Sequence, residues 1–152
     1  MDITLINQLA TGMRMAIESI PKDKLPLPMS HFPKGACGDA TLLLGAYFAD
    51  NGITEFQYVC GERGVKEDRT WSTHAWLESE GLVVDITADQ FEEIDEKVIV
   101  AYGSPWHSQL DGKPSGCGDF RKWSGPGTHH LYSAYGQILS LLAFNKNHEP
   151  SL

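Results

Sequence analysis

A thiol, an imidazole and a carboxylate occur in chain order at Cys37, His74 and Asp85. They lie in three short stretches, Gly35-Ala36-Cys37-Gly38-Asp39-Ala40, Thr73-His74-Ala75-Trp76 and Val84-Asp85-Ile86-Thr87. These are the parts of a Cys-His-Asp triad for acyl transfer. A cysteine attacks as the thiolate, and a free thiol of pKa ~8.5 is mostly protonated at neutral pH. An adjacent imidazole can take that proton and return it to the leaving group. A carboxylate behind the imidazole fixes its tautomer and stabilises the imidazolium.

The elements predicted around these residues would position them. A helix begins near Cys37 and runs to about Asn51, with Ala40, Leu43, Leu44, Tyr47 and Phe48 on its apolar face and Gly52 as its stop. Cys37 then sits at a helix N-terminus, where the dipole favours the thiolate and free N–H groups can hold an oxyanion. Gly35 and Gly38 leave room for substrate beside the backbone. Residues 72–79 and 82–87 read as two strands joined at Glu80-Gly81, a tight hairpin turn. That register sets residue 76 opposite 85 and puts His74, Trp76 and Asp85 on one face, with His74 and Asp85 as diagonal neighbours. A slip of one residue would separate them. Asp85 also lies within the apolar run Leu82-Val83-Val84-Asp85-Ile86, where a carboxylate needs a partner.

The rest of the chain reads as a scaffold. Ile6, Leu9, Met13, Ile17 and Ile20 predict a helix over 3–20, capped by Asp2 and ended by Pro21. A proline-rich connection follows over 21–35. Residues 55–60 and 97–102 read as strands, with Cys60 in the core, and 61–70 as loop. Residues 103–128, rich in glycine and proline, read as a long loop placed to cover the cleft. Leu131, Tyr135, Ile138 and Leu142 predict a closing helix, with Asn145–Leu152 frayed. The order gives an α+β fold with an antiparallel sheet.

Composition narrows the class. The 152 residues suit a single domain, 41% hydrophobic and 21% charged. A net charge of −8 argues against nucleic-acid or anionic-membrane partners. The N-terminal residues have no signal-peptide pattern, and no stretch is long and apolar enough for a membrane span. Three cysteines, at 37, 60 and 117, fit neither a disulfide framework nor a C-x-x-C zinc site, so a cytoplasmic setting is expected. No metal or other cofactor is expected.

The run Gly35-x-Cys37-x-Asp39-Ala40-x-x-Leu43-Leu44, Gly52-Ile53, Gly61, His74-Ala75-Trp76-x-Glu78, Gly81 and Asp85-Ile86-Thr87 resembles the transglutaminase-like superfamily of papain-like cysteine hydrolases. The resemblance spans residues 35–87, the catalytic core of a single transglutaminase-like domain over 1–152. It implies a nucleophile helix packed on an antiparallel sheet, with Cys37 as nucleophile, His74 as base then acid, and Asp85 as orienter. Papain-like enzymes often place an oxyanion-hole glutamine six residues before the nucleophile. Here that position is His31, which would act with Cys37, while Gly38 and Trp76 would line the cleft.

The expected activity is a cysteine hydrolase or acyltransferase acting on an amide or ester carbonyl of a peptide, protein or small amide: a peptidase, amidase or deamidase if water accepts the acyl group, a transferase if an amine does. Two other readings stand beside it. One is a non-catalytic binding domain retaining the triad residues. The other is a redox sensor using Cys117, placed on the long loop.

Overall fold

The computed structural model describes residues 1–147. The chain enters helix α1 (Ile3–Ser19) through Asp2, whose side chain accepts the Leu5 N–H at 3.0 Å. The inward stripe of α1 is Ile6, Leu9, Ala10, Met13 and Ile17, with Arg14 buried beside it. Short 3-10 turns carry the proline-rich connection over the surface to helix α2 (Cys37–Asp50). Ala40 through Ala46 and Phe48 of α2 are buried, so this helix is central and shows no polar face.

Five antiparallel strands follow: β1 (Gln57–Arg63), β2 (Ser72–Ser79), β3 (Leu82–Asp85), β4 (Ile99–Tyr102) and β5 (Lys113–Cys117). Their spatial order is β4-β3-β2-β1-β5. A one-turn helix α3 (Pro105–Ser108) lies between β4 and β5, and helix α4 (His130–Asn147) closes the described chain. The protein is thus α+β, with four helices and a five-stranded antiparallel sheet among the described residues. None of these helices is long and apolar enough to cross a membrane.

The alternation of the strands divides the interior in two. Phe56, Leu77, Leu82 and Val84 join the main core with residues of α1, α2 and α4. Val59, Trp76 and Val83 point to the other face and form a smaller cluster with Leu110, flanked by Trp106. His74 and Asp85 belong to this second face by the same period of two.

The β2–β3 hairpin has the predicted register, with Ser79 opposite Leu82 and Leu77 opposite Val84. Glu80 (φ 48°) and Gly81 (φ 82°) are both left-handed, as a two-residue turn that follows the strand twist requires. A second constraint lies at Gly45 in the middle of α2. A Cβ there would stand 2.0 Å from the Gly118 carbonyl oxygen, so helix and loop meet backbone to backbone. Gly45→Ala should therefore destabilise by about 3 kcal/mol, or roughly 6–12 °C in Tm. An unchanged melting temperature would contradict that close approach.

Several sequence expectations need correction. Residues 103–128 are not a plain long loop. They supply α3, edge strand β5 and two 3-10 turns, because β1 has a free edge on which β5 pairs, Gln57 with Cys117 and Cys60 with Lys113. Strand β1 extends to Arg63, into the predicted 61–70 loop, because Ser72–His74 continue the ladder beside it. Cys60 is half-buried rather than a core residue, since its side chain lies opposite the Val59 face near the sheet edge. Helix α4 continues through 145–147, and the rest of the predicted frayed tail lies outside the described residues.

Candidate active site

Each residue of the expected triad is held by a different element. Cys37 is the first residue of α2 and is half-buried. Gly35, two residues before it, adopts φ 70°, a left-handed turn that redirects the chain into the helix. His74 lies near the start of β2 and is 1% exposed; Asp85 ends β3 and is 2% exposed. The diagonal pairing brings them together, with Nε2 of His74 2.6 Å from Oδ2 of Asp85. The opposite ring nitrogen, Nδ1, lies 3.4 Å from Nε2 of Gln90, and the Cys37 thiol is near enough for its charge to act on the imidazole.

The electrostatics follow from this order of groups. Burial by itself would lower the His74 pKa. The hydrogen bonds to Asp85 and then Cys37, with their charges, outweigh it and raise the value from 6.5 to about 9. Burial would likewise raise Asp85, but hydrogen bonds from His107 and then His74 hold it down at about 2. At neutral pH the buried pair is therefore imidazolium and carboxylate. Its other carboxylate oxygen, Oδ1, accepts the Thr87 N–H at 2.9 Å.

Aromatic rings wall the imidazole on three sides. Its centroid lies 5.1 Å from Phe91, 5.6 Å from Trp106 and 6.0 Å from Trp76. These apolar neighbours shield the ion pair from water and so strengthen it. From the far side of the sheet, Arg14 of α1 fixes the segment after Asp85. It donates to the Ile86 carbonyl at 2.7 Å and clamps both oxygens of Asp89 at 2.6 and 2.9 Å.

That clamp positions Gln90. Its Nε2 donates to the Thr87 carbonyl at 3.0 Å and lies 3.4 Å from Nδ1 of His74. Its Oε1 accepts the Gly35 N–H at 3.4 Å. Gln90 thus bridges the Gly35 turn and the Thr87 carbonyl, with its amide beside the imidazole. The sequence marks Gln90 only by its closeness to Asp85.

Two sequence assignments change here. His31 is exposed in the proline-rich connection and shares no hydrogen bond with Cys37, His74 or Gln90 among the described residues. The side-chain amide near the imidazole is Gln90 instead. Trp76 is 2% exposed and packs beneath the site with Val59 and Leu110, so it floors the site rather than lining an open cleft. Its strand alternation points it inward, under His74. Gly38 stays partly exposed beside Cys37, where a Cβ would come 3.1 Å from the Tyr58 hydroxyl.

One residue of the site has no counterpart in the sequence reading. His107 of α3 is buried, and its Nε2 lies 2.7 Å from the same Oδ2 of Asp85. His74, Asp85 and His107 place one ligand atom each within 4.8 Å of one another, a donor set that zinc could accept. The geometry favours proton sharing. Ligands on a tetrahedral zinc with ~2.0 Å bonds stand about 3.3 Å apart, whereas these nitrogens lie 2.6 and 2.7 Å from one oxygen.

Comparison of the chain with protein-family models, with curated proteins and with solved structures gives no match. The functional reading therefore stands on the geometry of the site and on the sequence resemblance.

Proposed function

We propose that this protein is a cysteine-dependent hydrolase or acyltransferase of the transglutaminase-like, papain-like kind, acting on amide or ester carbonyls. The carrying observation is the buried His74–Asp85 contact of 2.6 Å, with a helix-start cysteine near enough to act on the same imidazole. A helix bearing the thiol at one end of an antiparallel sheet bearing base and carboxylate supports the papain-like arrangement. Three free cysteines fit a reducing, cytoplasmic setting.

In this reading Cys37 thiolate attacks the carbonyl carbon, and the carbonyl π electrons move onto oxygen. The N–H groups at the start of α2 and the Gln90 amide are the donors for that oxyanion. His74 then passes its Nδ1 proton to the leaving amine or alcohol as the C–N or C–O bond breaks, giving a thioester on Cys37. Water or an amine attacks next, its proton goes to His74, and the thiolate leaves. Asp85 stays ionised throughout and faces the imidazolium. Substrates are peptides, proteins or small amides.

The test is direct trapping of the acyl-enzyme. After mixing with p-nitrophenyl acetate and acid quenching, peptide mass spectrometry should find an acetyl group on Cys37, lost in Cys37→Ser. No acyl adduct on Cys37 with this or other activated esters would sink the proposal.

A further inference from the structure

We propose that His107 is a positioning residue of this site, the second imidazole on the Asp85 carboxylate, which holds that carboxylate oriented and ionised behind His74. This inference rests on the cysteine–histidine reading above. The observations are geometric. His107 is 3% exposed, yet both ring nitrogens have partners: Nε2 meets Asp85 Oδ2 at 2.7 Å and Nδ1 meets the Ser104 hydroxyl at 2.7 Å. A carboxylate only accepts, so Nε2 carries the proton and the serine hydroxyl donates to Nδ1. Ser104 also caps α3, accepting the His107 N–H at 3.5 Å, so ring and backbone are fixed by one side chain. Trp76 and Trp106 hold the ring edge-on at 4.9 and 4.8 Å. The result is a line of groups from Ser104 through His107 and Asp85 to His74.

The arrangement has a chemical consequence. Oδ2 of Asp85 receives two imidazole N–H groups, and Oδ1 receives the Thr87 N–H. Together with the Thr87 hydroxyl 3.5 Å from Oδ1, these donors on one buried carboxylate favour its charged form and lock its rotation. A lone buried aspartate facing His74 would take up a proton at higher pH and turn away more easily. The titratable groups facing Asp85 are His74 from β2 and His107 from α3, with Cys37 of α2 behind His74. Arg14 of α1 reaches the neighbouring Ile86 carbonyl and Asp89 instead. A core position needing only bulk would be filled by leucine or phenylalanine without a polar partner at each end.

The experiment follows the pH dependence of Cys37 alkylation in wild type, His107→Phe, His107→Gln and Ser104→Ala. His107→Phe keeps the bulk and removes the donor. Its acid-side midpoint should rise by about one pH unit, a roughly tenfold slower reaction on the acid limb. His107→Gln, whose amide can donate from nearly the same place, should recover most of the loss. Ser104→Ala should shift the limb the same way by less. A folded His107→Phe protein with the wild-type acid limb would overturn the assignment and leave His107 as core filler. If that variant does not fold, nitrogen-15 spectra of the native protein decide. Slowly exchanging Nε2–H signals from both His74 and His107 support the proposal, and a His107 Nε2 without its proton defeats it. An unactivated Cys37 in the wild type would be the failure of the catalytic reading itself. An activated wild type with an indifferent His107→Phe is the failure of this inference alone.

Discussion

Asp85→Asn is expected to leave a folded protein in which acylation of Cys37 is slower by about 10³–10⁴-fold. Oδ2 of Asp85 now accepts from two imidazoles while Oδ1 accepts the Thr87 N–H. An amide has one acceptor and one donor end. If its oxygen faces the imidazoles, its NH₂ meets the Thr87 N–H. If it turns over, the NH₂ meets both Nε2–H groups, and His74 is driven to the tautomer that cannot take the thiol proton. Either way one buried donor is left facing another, so a stability loss of about 1–3 kcal/mol should accompany the rate loss. Acetyl transfer to Cys37 and circular dichroism measured on the same samples separate the two effects. A folded variant acylating within tenfold of wild type would take Asp85 out of the mechanism.

The second large effect is on stability against pH. The folded His74 pKa is raised from 6.5 to about 9. A raised value means the folded state holds the proton more tightly. The stabilisation is then complete below pH 6.5 and is lost as pH rises through about 9. Over that window Tm should fall by roughly 4–10 °C, from a contribution on the order of 2–3 kcal/mol. Asp85 acts at the other end: its value is lowered from 3.8 to about 2, so its contribution is lost only as pH falls through that range. Cys60, raised above 9.0 mainly by burial, enters only above the window. His74→Gln, which cannot titrate, should flatten the slope between pH 6.5 and 9. A wild-type Tm constant across that window would contradict the buried imidazolium.

The hairpin was legible because its parts agree. Alternation in Thr73–Glu78, the apolar run Leu82–Ile86 and a Glu-Gly turn select one register, and that register alone brings His74 to Asp85. Cys37 was legible for a similar reason, since Gly35, Gly38 and the apolar α2 mark a helix start. His107 was not. It reaches Asp85 through a one-turn helix anchored by Ser104, and Ser-Pro-Trp-His looks like any turn until the chain has folded across β3 and β4. The parts played by Arg14 and by Gln90, which its closeness to Asp85 marks only as able to line the cleft, were hidden for another reason. Their roles depend on contacts across 55 to 75 residues of chain, between Gly35 and Gln90 and between Arg14 and Asp89, and no local period reports such contacts. Strand β5 was missed because glycine, proline and serine within Lys113–Cys117 argue against a strand, yet an edge position tolerates them.

Alkylation of all three cysteines by limiting iodoacetamide across pH, read by peptide mass spectrometry, tests the central claim most directly. Cys37 should label fastest and still react readily at pH 6, where an ordinary thiol of pKa ~8.5 is almost wholly protonated. His74→Ala should abolish that advantage. If Cys37 instead labels no faster than exposed Cys117 and is indifferent to His74→Ala, the nucleophile is not activated. The protein would then be a binding domain that carries the triad residues without using them.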